Sequence, residues 1–139
     1  GWDCVMAAMN GCELNYMELR QLDERLDYYT PVIITSDAVI DSDPEMVKAF
    51  LRATAKGYAD VIADPDAAAE VLYDHASDYD LEMLKKSQEY LAEKFMEDTD
   101  TWGMMKDEVW DNYSAFLQEY GVISDALPAA DCYTNEFLQ

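Results

Sequence analysis

Basic side chains are scarce in this chain. Nine Lys and Arg stand against thirty Asp and Glu, a formal net charge of −21 over 139 residues. Residues 57–84 hold no Lys or Arg and eight carboxylates. Such a surface repels phosphate backbones, which argues against nucleic acid as a partner and equally against adsorption to anionic lipid. It reads as a solvated acidic surface, with cation binding as the other reading of so much negative charge. Histidine is nearly missing too. His75, near the C-terminal end of a helix pattern, has no second histidine to support a metal or catalytic role. The cysteines, Cys4, Cys12 and Cys132, are an odd count with no CxxC pair. That argues against a zinc site and against a disulfide framework, and leaves one bridge with a spare thiol open. There is no nucleophile elbow, phosphate loop or paired catalytic motif, so no catalytic residue, metal ligand or cofactor is assigned. No run of about 18 apolar residues exists to span a membrane. No signal peptide is read in these residues, and any address signal is expected outside them.

Leu, Ile, Val and Phe together make only about a fifth of the chain, close to the range where a highly charged sequence fails to fold. Eight Met, ten Tyr and three Trp supply the missing bulk, so the chain reads as folded. Its length suits one ordinary domain.

Helical punctuation dominates. "WDCVMAAMN", 2–10, suits a short helix stopped by Gly11. Asp43 and Pro44 open a long helix whose apolar stripe runs through Val47, Phe50, Leu51, Thr54, Tyr58, Val61 and Ile62. Asp64 and Pro65 repeat that start, with Ala68, Val71 and Leu72 inward. A third helix begins near Asp80, with Leu81, Leu84, Leu91 and Phe95 as its stripe and Lys85 and Lys86 outside. "DTDTWGMMKDE", 98–108, reads as a loop around Trp102. A fourth helix, 107–120, carries Val109, Trp110, Tyr113, Phe116, Leu117 and Tyr120 and ends at Gly121. Residues 122–131 read as irregular, and Asp131 is expected to cap one closing helical turn. The acidic bunch "DSDPE", 41–45, lacks the Gly and the position-twelve Glu of a calcium loop, and helix capping accounts for it.

Two segments read as strands. "LNYMELRQL", 14–22, alternates, predicting a strand over 15–20. "YYTPVIITS", 28–36, holds the β-branched run Val32, Ile33, Ile34, expected to be buried on both faces, with Pro31 at a strand start or an edge. Two strands are marginal alone. The expected neighbours are strands outside this sequence, in a larger α/β protein.

The order of these pieces, "GWDCVMA", "TPVIITS", "DPEMVKAFLRATAKGY", "DPDAAAEVL", "WGMMKDEVWDNY" and "TNEFL", resembles the carboxy-terminal half of ABC-transporter solute-binding proteins, most closely the group that binds pyrimidine precursors of thiamine. The resemblance covers nearly the whole chain. It implies an α/β class: a carboxy-terminal fragment of a type II periplasmic-binding-protein fold, helix-rich with two or three short strands. Residues 1–27 would end the second lobe, 28–36 would be the inter-lobe crossing strand, and 37–139 the helical carboxy-terminal part. It further implies capture of a small heteroaromatic ligand by lobe closure, an ABC permease as partner, and an extracellular or periplasmic place with lipoprotein anchoring. Asp3 resembles the family's acidic position that accepts hydrogen bonds from an aminopyrimidine, one methylene shorter than the usual Glu. Trp2 would stack on a flat ring, and Tyr28 and Tyr29 would line the cleft. Each has a plainer reading: a carboxylate at a helix start, and packing. Trp102 and Trp110 read as core. The alternatives are a sulfonate or flavin-precursor binder, a pyrimidine-synthesising enzyme of the same fold, and an acidic helical interaction module. An exposed strand would also allow self-association.

Overall fold

The computed structural model describes residues 1–97 and 99–138. Seven α-helices follow in chain order among them: α1 (Asp3–Met9), α2 (Leu19–Leu22), α3 (Asp37–Ser42), α4 (Pro44–Ala63), α5 (Pro65–Tyr73), α6 (Leu81–Ala92) and α7 (Asp107–Glu119). Short 3-10 turns lie at Glu24–Leu26 and Ala129–Asp131. The helix starts follow from local chemistry. Asp43 Oδ1 accepts from Met46 N, Asp64 Oδ1 from Ala67 N and Asp80 Oδ1 from Met83 N, each at 3.0 Å, satisfying first-turn donors that would otherwise lack partners. Gly121 ends α7 at φ 68, a conformation in which a Cβ is penalised.

The chain divides into two compact units. One comprises Gly1–Asn15 and Phe50–Trp102. Its centre is Ala69 on α5 with Met83 and Leu84 on α6, ringed by Trp2, Val5, Leu72 and Tyr73. The α5–α6 pair is tied on its outside by Lys85 Nζ to Glu70 Oε1 at 2.9 Å, an ion pair that raises the lysine's pKa. Lys85 is thus engaged and not simply outside. A second cluster joins Tyr58 to Phe95 edge-on and to Trp102 at 4.9 Å, so Trp102 anchors its loop as expected.

The other unit comprises Tyr16–Ala49 and Gly103–Gln139. Here α7 is held by polar clamps. Ser114 Oγ accepts from Leu127 N at 2.5 Å and Asp111 Oδ1 from Ala129 N at 2.9 Å, fixing the segment after the helix. Arg25 binds Asp23 at 2.7 Å and Glu119 at 2.6 Å, with its guanidinium 5.1 Å from the Phe116 ring centre.

Several expectations are corrected. No strand is present among the described residues. Residues 12–18 have no regular structure and the expected strand over 15–20 gives way to α2. The segment 28–36 is irregular with a bend at Pro31. Val32, Ile33 and Ile34 are not buried on both faces but 43%, 50% and 86% exposed. The physical reason is common to both: a strand needs a second strand beside it, and among the described residues none is present to pair with either segment. Helix α3, capped by Ser36 Oγ at 3.4 Å from Val39 N, was not foreseen, because six residues are too few to show a stripe. Asp131 caps no closing helix; it ends the 3-10 turn. In α4, Phe50 and Ile62 of the expected inner stripe are exposed.

Candidate functional site

Five side chains of the second unit line an open cleft: Tyr28 and Tyr29 from the irregular segment, and Val109, Trp110 and Tyr113 from α7. The helix places Trp110 and Tyr113 three residues apart, hence on one face. Tyr28 stacks on Tyr113 with ring centres 4.2 Å apart and planes 16° apart. Tyr29 leans on Trp110 at 6.2 Å and 45°, and its Oη accepts from Lys106 N at 2.9 Å. That hydrogen bond ties residue 29 to the residue just before α7. Trp110 is stacked in turn on Tyr133 at 5.7 Å and 10°.

The aromatic wall is braced from behind. Tyr133 Oη donates to Asp107 Oδ1 at 2.6 Å, which together with desolvation pushes the phenol pKa up to about 12. The charge on Asp107 makes a second negative oxygen beside it unfavourable. Asn135 donates to Met105 O at 2.8 Å and accepts from Met105 N at 3.1 Å, pinning the chain two residues before α7. The cleft encloses about 50 Å³, far below the roughly 300–1,000 Å³ of complete small-molecule pockets. The lining is aromatic and aliphatic and holds no charged side chain.

The four residues singled out in the sequence fall into two places. Tyr28 and Tyr29 share the cleft just described. Trp2 and Asp3 belong to the other unit. Trp2 meets Tyr79 edge-on at 5.0 Å and packs on the Ala69–Met83–Leu84 core. Asp3 is exposed in the first turn of α1, where a carboxylate is favoured by the helix dipole. The sequence reading missed the cleft's other wall. Val109, Trp110 and Tyr113 read in the sequence as part of one apolar stripe, and the i, i+3 aromatic pair within it is the signal that marks them. No group of His, Cys, Asp and Glu suited to a metal ion is found among the described residues. Nor is any helix among them long and apolar enough to cross a membrane.

Comparison with known proteins bears on these features. The family described as NMT1/THI5 like matches residues 1–68, which include Trp2, Asp3, Tyr28 and Tyr29. A protein named riboflavin-binding protein RibY, from Chloroflexus aurantiacus, is 29% identical over 112 residues, covering 76% of this chain and 32% of its own length. A protein named formylaminopyrimidine-binding protein, from Halalkalibacterium halodurans, is 24% identical over 119 residues, covering 79% of this chain and 36% of its own. The resemblance read from the residues is borne out to this extent: residues 1–68 are similar to the NMT1/THI5-like family, and the chain is similar to two proteins named as binding proteins. It spans about a third of the length of the curated relatives it matches.

Proposed function

We propose that this chain forms the carboxy-terminal part of a two-lobed, extracellular solute-binding protein that delivers a small heteroaromatic compound to an ABC importer. A thiamine pyrimidine precursor is the first choice of ligand. The observation that carries the reading is the uncharged aromatic lining of the cleft of Tyr28, Tyr29, Val109, Trp110 and Tyr113, in a chain similar to proteins named for formylaminopyrimidine and for riboflavin. Aromatic walls favour flat rings through offset and edge contacts. A flavin is the second reading, since one relative is named for riboflavin. Asp3 is proposed as an acceptor for an exocyclic amine and Trp2 as a further ring contact. Residues 28–36 are proposed to become the crossing strand when paired with strands of the rest of the protein, which would cover Val32, Ile33 and Ile34. Both relatives are named as binding proteins, which supports a binder over an enzyme of the same fold.

The test is a thermal-shift series on the full-length protein with an aminopyrimidine, riboflavin and an alkyl sulfonate. Saturation at about 100 Kd contributes about 2.7 kcal/mol, a readable rise in melting temperature. A rise with the aminopyrimidine alone supports the first choice, and a rise with riboflavin alone the second. No rise with any of them overturns the reading in favour of an interaction module.

A further inference from the structure

We infer that Asn10 and Gly11 form a site of covalent self-modification, deamidation through the glycine nitrogen, and that the cap of α1 holds this site closed in the folded chain. Both residues are exposed, and a Cβ added at Gly11 would meet nothing within 4 Å, so no neighbour crowds the pair. The reaction needs only water and base. Hydroxide removes the proton of Gly11 N, and that nitrogen attacks Asn10 Cγ. The Cγ–Nδ2 bond breaks, the departing nitrogen takes a proton from water and leaves as ammonia, and a cyclic succinimide remains. Water then adds to one of its two carbonyls and opens the ring to aspartate or isoaspartate. Glycine is the most permissive residue for this ring closure, because it brings no side chain to the attacking nitrogen.

The end of α1 occupies both reacting groups. Gly11, at φ 72, takes the left-handed conformation that closes a helix, with Gly11 N donating to Ala8 O and Cys12 N to Ala7 O, each at 3.0 Å. The first of these bonds uses the N–H that the reaction must deprotonate, and a donor already in a hydrogen bond gives up its proton less readily. Asn10 Nδ2, the leaving group, donates to Met6 O at 2.8 Å. That bond turns the carboxamide back toward the preceding turn of the helix, whereas Gly11 N follows in the other direction. Ring closure therefore requires both bonds to open, which is fraying of the last turn of α1. Conversion then keeps the turn from closing again. A carboxylate at position 10 is an acceptor only and cannot donate to Met6 O. Its charge also sits at the carbonyl end of the helix, where the dipole disfavours it. Helix α1 carries Val5 against the Ala69–Met83–Leu84 core, so the modification loosens one edge of that unit.

The test incubates the full-length protein at mildly alkaline pH, native and in guanidinium chloride, and follows the peptide that holds Asn10 and Gly11 by mass spectrometry. Two hydrogen bonds of ordinary net worth predict conversion about ten- to a hundredfold slower in the native protein. Equal rates overturn the gate, and no conversion in the unfolded chain overturns the site itself. Hydrogen exchange at the Gly11 amide needs the same opening and should be slowed by a similar factor; exchange as fast as in the unfolded chain also sinks the gate. Asn10→Asp, which carries the product's charge, is expected to melt at a lower temperature than wild type, and an unchanged melting temperature overturns the effect on α1. Should that variant fail to fold, the native and unfolded rates of wild type still decide.

Discussion

Tyr133 shows how one side chain ties the aromatic wall to pH. Its hydroxyl donates to Asp107, and the folded-state pKa is pushed up to about 12 from an ordinary value of 10.0. A raised pKa means the neutral phenol is favoured by folding. The stabilisation is complete below pH 10 and is lost as the pH climbs toward 12. Tyr133→Phe removes the titrating group. Melting temperatures taken from pH 9 to pH 12 should therefore fall more steeply in wild type than in the variant, and parallel curves would show that the hydrogen bond is not formed. Asn135 is the companion case. Its amide satisfies both backbone groups of Met105, so Asn135→Ala forfeits two hydrogen bonds, each with a net worth of about 0.5–1.5 kcal/mol. Urea unfolding should show a loss of about 1–3 kcal/mol. Of this cluster, Tyr28 and Tyr29 were singled out through the family resemblance, which implied a crossing segment there, and not through any local pattern of their own. Trp110 was legible as apolar but not as a wall of a cleft. Its partner side chains come from residue 29 and residue 133, separations that no local period reports.

At the scale of the element, helix starts were the most legible feature. Asp-Pro at 43–44 and 64–65, and Asp80, mark them with chemistry confined to four residues, and the structure forms all three caps. Asp80→Ala should cost about 1 kcal/mol and Asp64→Ala a similar amount, read as lower urea midpoints with unchanged slope. Packing within the α5–α6 pair is worth more. Leu84 is fully buried against Ala69 and Met83, so Leu84→Ala should cost about 2–5 kcal/mol by lost burial and residual cavity. A loss below about 1 kcal/mol would mean that this core is not formed in solution. Strands were not legible in the same way. Alternation at 14–22 and the run at 32–34 state a preference, but a ladder is a property of two segments, and no second segment among the described residues meets either one.

At the scale of the whole molecule, two features oppose each other. The net charge of −21 keeps copies apart, while Val32, Ile33 and Ile34 present an exposed apolar ribbon on an irregular segment. The proposal that this ribbon pairs with a second copy when its other partners are absent turns that opposition into a measurement. At about 10 mM salt the repulsion between copies reaches across about 30 Å and the 139-residue chain should scatter light as a monomer. At about 1 M salt the Debye length shrinks to about 3 Å, and the ribbons of two copies are free to meet. Dimers or larger species should then appear. Ile34→Lys places a charge at the most exposed ribbon position and should suppress them, because an edge charge blocks strand-to-strand approach. Association that grows with salt equally in wild type and Ile34→Lys would assign it to another surface, and a monomer at every salt concentration would remove the ribbon as a contact altogether.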